Sequence, residues 1–293
     1  MENKQWLYAR RGGIGGSDAA VVLGLSHWKS PLQLYNEKIG EGEPIAESEP
    51  MFWGKTLEPL IRQRYADITG YEVVIPNTIL RHPAHEWMIA NLDGIANNDR
   101  VLEIKTARIA NGWGEAGTDE IPDIYMAQVQ HYMSVTGLKQ ADVAVLIGGN
   151  DFRIYEIPAD EEVQALMIEK EAEFWHMVES KTPPEPRTYS ELKEKFGSAS
   201  KAQEVQADES VLRAVQRLKE ISAAKKEEDE LRAVIMATLK ESDTLVFGSD
   251  VIATWKAGKP VKRFDAKAFE AENPEIYKQF VKENPPIRRL IIK

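Results

Sequence analysis

The chain has 293 residues, 43% of them hydrophobic and 29% charged, which is enough apolar material for one large domain or two smaller ones with a full core. It contains no cysteine, so disulfides, thiolate zinc sites, cysteine nucleophiles and iron–sulfur clusters are excluded and any metal must sit on oxygen or imidazole. The net charge of -10 argues against a uniformly basic surface, yet residues 251–293 carry ten Lys or Arg against five Asp or Glu, and a basic channel on an acidic molecule is compatible with that spread.

In chain order, residues 1–13 contain Lys4, Arg10 and Arg11 but no apolar run of the signal-peptide kind, and no later run is long enough to span a bilayer. A cytoplasmic protein without membrane contact is expected. Residues 12–16 (GGIGG) lack the Gly-Lys-Ser/Thr ending of a P-loop, which speaks against nucleoside triphosphate binding. Apolar spacing predicts helices over 31–40 and 52–69, the second with Leu57, Leu60, Ile61 and Tyr65 on one face and Gly70 at its end. Residues 71–75 have the β-branched content of a strand. Pro83, between His82 and His85, predicts a loop there rather than a zinc pair.

The runs 88–96 (MIANLDGIA) and 101–106 (VLEIKT) predict two strands of a hairpin joined by the polar turn 97–100. A helix over 125–136 follows, closed by Gly137, and then two strands over 141–147 and 152–157. The helix at 161–179 is amphipathic, with Val163, Leu166, Met167, Phe174 and Val178 as its stripe. This alternation predicts a mixed α/β fold. Three prolines within 181–187 (KTPPEPR) cannot continue a helix and mark a boundary. The expected division is a first domain over 1–186 and a C-terminal extension over 187–293. The extension would hold one long helix or a helical hairpin over 210–240, a β-hairpin over 245–255 and a basic tail.

The chemistry concentrates at residues 93–105. Strand side chains alternate, so Glu103 and Lys105 project to one side while Ile104 enters the packed layer behind them. If the two strands pair antiparallel through the 97–100 turn, Asp93 comes close to Glu103 on the same face. Paired carboxylates are a hard, oxygen-only site suited to Mg²⁺ with several retained waters. Such an ion polarises a phosphoryl oxygen and lowers the pKa of water, and the Lys105 ammonium is placed to hold the attacking water or to neutralise charge on the phosphate. An arbitrary Asp followed by Glu-x-Lys is more often a turn cap and the solvated face of an edge strand. Here an apolar strand, a polar turn and a second apolar strand carry the three residues in compatible phase.

With Leu92-Asp93-Gly94 followed by Leu102-Glu103-Ile104-Lys105-Thr106, the chain resembles the PD-(D/E)XK nuclease superfamily. Within it, the chain is similar to the lambda-type exonucleases, the YqaJ-like viral recombinase family. Four blocks carry the resemblance in the family's order: 10–17 (RRGGIGGS), Trp53-Gly54-Lys55 with Glu58, the Asp-Glu-Lys core, and 125–130 (YMAQVQ). The proline that names the superfamily motif is absent, since Asn91-Leu92 precede Asp93.

The resemblance implies a restriction-endonuclease-like core, a central mixed sheet flanked by helices. It implies that Asp93, Glu103 and the Ile104 carbonyl bind Mg²⁺, with Mn²⁺ able to substitute. Lys105 would assist the nucleophilic water, Glu58 would add a carboxylate, and Gln128 would orient its partners. Tyr125 shares a helix face with Gln128, three residues on. Arg10 and Ser17 match a pocket for a terminal 5′ phosphate, where a guanidinium fork and a hydroxyl suit a dianion, and Arg11 is an alternative to Arg10. The activity implied is Mg²⁺-dependent hydrolysis of linear double-stranded DNA, 5′ to 3′, in a phage or prophage recombination system inside a bacterial host. A single-strand annealing protein would be the partner, and the oligomer a ring-shaped trimer. An endonuclease with the same core and a DNA-binding or assembly protein on a vestigial nuclease fold are the alternatives.

Overall fold

A computed structural model describes residues 10–42, 47–197, 206–256, 264–282 and 290. Lys4, Trp6 and much of the basic tail lie outside them. The chain divides into two units, Met1–Thr188 and Tyr189–Lys293.

The first unit begins with three helices, α1 (Gly16–Val22), α2 (Pro31–Ile39) and α3 (Glu49–Thr69). Local chemistry sets the ends of α2. Ser30 and Gln33 exchange hydrogen bonds in a capping box, Pro31 occupies the first turn, and Gly40 closes the helix at φ 88°. Seven strands follow, β1 (Val73–Val74), β2 (Leu80–Arg81), β3 (Ile89–Ala90), β4 (Gly94–Ala96), β5 (Arg100–Ala107), β6 (Gln140–Ile147) and β7 (Asp151–Pro158). Between β5 and β6 lies α4 (Asp123–Thr136), and α5 (Glu161–Glu179) comes after β7.

The central sheet has the order β1-β4-β5-β6-β7, with β5 and β6 parallel and the other neighbours antiparallel. It is the expected mixed sheet flanked by helices. On one face α4 packs Val129, Met133 and Val135 against Val101, Val143 and Val145. On the other, Ile61 and Tyr65 of α3 meet Leu102, Ile104 and Ala144. Cover on both faces explains why β5 and β6 read as nearly continuous apolar runs. The parallel β5–β6 pair needs a crossover, which the 108–139 segment supplies with α4 inside it.

The structure corrects the sequence reading in four places. Residues 88–96 are not one strand. Ile89 and Ala90 pair with β2, and Met88 bridges Ile14, whereas Gly94–Ala96 join the central sheet against β5. The chain crosses between the two sheets at residues 91–93, and Asp93 sits in that crossing. The strand expected at 71–75 shortens to Val73–Val74. Leu60 does not share the buried face of Ile61 and Tyr65, and Val163 and Leu166 are exposed while Met167 and Phe174 are buried. In both helices the covering element buries a narrower stripe than the apolar spacing predicts.

The second unit contains α6 (Tyr189–Phe196), α7 (Glu209–Leu239), the hairpin β8 (Thr244–Phe247) with β9 (Asp250–Thr254), α8 (Ala266–Glu272) and α9 (Pro274–Phe280). Residues 210–240 thus form one long helix rather than a helical hairpin. Its N-terminus is capped by Asp208, whose carboxylate accepts from the Val211 amide at 2.9 Å. Among the described residues no helix is long and apolar enough to cross a membrane.

Candidate active site

The β4–β5 hairpin builds the centre. Its three-residue turn, 97–99, places Asn97 and Asn98 at φ 48° and 61°, a left-handed backbone that Asn tolerates, and the Asp99 amide donates to the Ala96 carbonyl to close it. Gly94 pairs with Leu102 across it. This register brings the Asp93 carboxylate to the middle of β5, where its Oδ2 accepts from the Ile104 amide at 2.8 Å. Arg62 of α3 fixes the same residue from the other side, donating to the Asp93 carbonyl at 3.0 Å.

Glu103 and Lys105 point to the α4 face, as alternation requires. Glu103 is 2% exposed. Its Oε1 accepts from Lys105 Nζ at 2.5 Å and from Gln128 Nε2 at 2.7 Å, while the Gln128 carbonyl oxygen accepts from Lys105 at 3.0 Å. One turn further along α4, the Tyr132 hydroxyl accepts from Gln128 at 3.1 Å. The Lys105 ammonium also lies 4.8 Å from the centre of the Tyr125 ring. Gln128 therefore bridges the acid and the base, and α4 carries Tyr125, Gln128 and Tyr132 on the face that meets them.

The electrostatics follow from burial of like charges. Burial, and then the nearby Glu103, raise the Asp93 carboxyl to about 8. Burial raises Glu103 as well, against the opposing pull of Lys105 and Gln128. Burial works against the Lys105 charge, but Glu103 beside it outweighs that loss and the pKa is raised. Lys105 is thus held as a cation between acceptors.

A divalent cation fits these donors. Glu103 Oε2 is buried and has no hydrogen-bond partner, while Asp93 contributes the second hard oxygen donor at the same centre. Among the described residues no three His, Asp or Glu side chains form a metal cluster. Two carboxylates with water completing the shell is the Mg²⁺ pattern. Glu58 stands nearby on α3 with its carboxylate paired to Arg62.

A cleft of about 150 Å³ opens from this centre. Asp93, Glu103, Gln128 and Tyr132 line it together with Arg10, Gly15, Gly16 and Ser17. Arg10 donates to Ser17 Oγ at 2.7 Å. The glycine run allows this approach. A Cβ on Gly16 would stand 2.5 Å from Tyr132 Cε1 and 2.9 Å from Gln128 Cγ, and one on Gly13 would stand 2.5 Å from the Trp87 carbonyl oxygen. Arg11 is exposed, lies beside Gly40, and is not among the residues lining the cleft. Lys55 is exposed and paired with Glu47.

Sequence reading missed the residues that hold these parts in place, namely Asp18, Lys38, Arg62, His131 and Glu171. Tyr132 had a signal, its i+4 spacing from Gln128. Arg62 had one too, its i+4 spacing from Glu58, whereas Lys38, His131 and Glu171 act between elements far apart in the chain.

The mixed sheet flanked by helices is a fold shared with solved alkaline exonucleases. The alkaline exonuclease of Laribacter hongkongensis superposes with a TM-score of 0.50 at 22% identity, covering 61% of this chain and 93% of that one. Residues 5–139 match the YqaJ-like viral recombinase domain. The Bacillus subtilis protein YqaJ is 32% identical over 309 residues, covering 100% of this chain and 95% of its own length, and the chain belongs to the YqaJ-like viral recombinase family. A protein of Acanthamoeba polyphaga mimivirus is 27% identical over 155 residues, which span 48% of this chain and 28% of that protein.

Proposed function

We propose that the chain is a divalent-metal-dependent deoxyribonuclease that hydrolyses linear duplex DNA from a 5′ end, with Mg²⁺ as the metal. The observation that carries the reading is that Asp93, Glu103 and Gln128, with Lys105 bonded to the last two, line one cleft together with Arg10 and Ser17. Asp93, Glu103 and the Ile104 carbonyl would hold the cation, which when bound supplies Lewis acidity to a phosphoryl oxygen and to water. Lys105, kept charged by Glu103, orients the nucleophile and offsets charge that grows on the phosphate. Gln128 keeps Lys105 and Glu103 in register, and Tyr125 bounds the path of the lysine. Arg10 and Ser17 would take the terminal phosphate, a role for which a guanidinium and a hydroxyl are suited. The likeness of the fold to the Laribacter hongkongensis alkaline exonuclease agrees with this reading.

The test is digestion of three matched DNAs in Mg²⁺: linear duplex with 5′ phosphate, linear duplex with 5′ hydroxyl, and a covalently closed circle. Loss of the linear forms alone, fastest with 5′ phosphate and abolished by EDTA, is the expected result. Cleavage of the circle would replace the exonuclease with an endonuclease, and no cleavage of any substrate would leave a DNA-binding protein.

A further inference from the structure

Lys38 of α2 and Asp18 of α1 form an ion pair at 2.7 Å with side chains 3% and 2% exposed. Neither residue lines the cleft. Lysine is seldom buried to this degree, and removing two charges from water costs enough that apolar replacements of such pairs are often neutral or stabilising. Fold stability alone is a weak reason for the pair.

Its contacts suggest another. Lys38 Nζ also donates to the Arg10 carbonyl at 3.0 Å. Asp18 Oδ2, besides accepting from Lys38, accepts from the Gly15 amide at 3.1 Å, and Asp18 Oδ1 lies 3.5 Å from Arg10 Nη2. The same Nη2 donates to Ser17 Oγ. One buried pair therefore grips Arg10 at its backbone and at its guanidinium, and grips the glycine run at Gly15. Lys38 and Asp18 cancel in charge, so the pair holds Arg10, which lines the cleft with Asp93 and Glu103, without adding net charge of its own.

We propose that the Asp18–Lys38 pair is a positioning device that sets Arg10 and Ser17 for a terminal phosphate and so determines the preference for phosphorylated DNA ends, an inference that rests on the reading of the cleft given above. Neither residue touches the substrate. Loss of the pair lets the Arg10 peptide and guanidinium drift, and a misplaced fork forfeits its directed hydrogen bonds to a dianion, whereas the hydrogen bonds that hold Asp93 and Glu103 involve neither Asp18 nor Lys38.

The experiment compares binding of 3′-labelled duplexes, with 5′ phosphate or 5′ hydroxyl, by fluorescence anisotropy in EDTA, followed by kinetics in Mg²⁺. The variant is Asp18→Asn with Lys38→Met, which leaves no buried charge unpaired. Wild type is expected to bind the phosphorylated end more tightly, and the double variant to lose about tenfold of that discrimination with 5′-hydroxyl binding unchanged. In kinetics, KM for the phosphorylated substrate rises while kcat holds. A folded variant that keeps the wild-type discrimination, or that weakens both ends equally as a purely structural role would, overturns the proposal. So does a wild type that binds both ends alike. Discrimination that is present and lost in the variant, with no hydrolysis by either protein, would sustain the positioning role and sink the nuclease reading. Should the double variant fail to fold, Lys38→Met alone leaves Asp18 with Arg10 and the Gly15 amide as partners, removes the grip on the Arg10 carbonyl, and carries the same comparison.

Discussion

Glu103 and Lys105 stand two residues apart on β5, and the distance between their functions is set by what each touches. Glu103 leaves one buried oxygen without a partner, whereas Lys105 has two acceptors within 3.0 Å. Asp93→Asn removes the second carboxylate with little change in shape, and Lys105→Ala removes the cation. Each is expected to lower kcat on linear duplex by about a hundredfold to a thousandfold while duplex binding in EDTA persists, a loss of the size seen when one preorganised charge donor is deleted. Stopped-time digestion with parallel anisotropy measures both, and wild-type rates in either variant would remove these residues from the chemistry. Gly16 is a second residue-scale case. Gly16→Ala forces its Cβ onto the Tyr132 ring and is expected to cost about 1–3 kcal/mol in urea unfolding through overpacking. An unchanged midpoint would show that α1 and α4 separate without resistance. The Asp-Glu-Lys spacing was legible because strand alternation is local, and the glycine run was legible only as a run. Which glycine admits Tyr132 depends on a helix more than a hundred residues away.

At the scale of elements, a buried side-chain link ties α4 to α5 and β3. His131 Nε2 donates to the Ile89 carbonyl at 3.0 Å, and Nδ1 lies 2.9 Å from Glu171 Oε1, with both side chains fully buried. Both ring nitrogens meet acceptors, so the doubly protonated ring satisfies both bonds. Burial disfavours its charge, but Glu171 and the Ile89 carbonyl outweigh that and raise the pKa. A histidine whose pKa is higher folded than unfolded stabilises fully below the ordinary histidine range, and the stabilisation is lost as pH rises through the folded value. Urea unfolding of wild type is therefore expected to weaken from pH 6 towards alkaline pH more steeply than that of Glu171→Gln, which no longer supports the imidazolium. Parallel pH profiles for the two proteins would refute the charged pair. The helices bearing these residues were read from periodicity at nearly their observed ends. The division of 88–96 between two sheets was not, because the partner strands and Ile14 decide it and a nine-residue apolar run carries no sign of them.

For the whole molecule, the hydrophobic clusters of the first unit all fall between Ile14 and Val178, so that unit carries its own core. A chain ending at Thr188 is expected to unfold in one cooperative transition and to hydrolyse short duplexes, but to lose processivity and salt tolerance on long ones if residues 189–293 serve DNA retention. Unchanged processivity and salt sensitivity would exclude that role. The long helix α7 leaves Leu212, Leu218, Ile221, Leu231 and Val234 exposed, with Leu239 buried at its end. Sedimentation of the full chain tests the ring-shaped trimer implied by the family resemblance, for which three copies are expected.

Periodicity, turn chemistry and spacing over a few residues sufficed to read most helices and strands of the first unit, the β4–β5 turn, and the order of the four blocks that carry the family resemblance. Packing alone settled that Asp93 lies in a crossing between two sheets, that Gln128 joins Lys105 to Glu103, and that Lys38 reaches Arg10. Those contacts link residues 11 to 28 positions apart in the chain. They form only when helices and sheet are packed, because a buried polar atom is satisfied by whichever element folds over it.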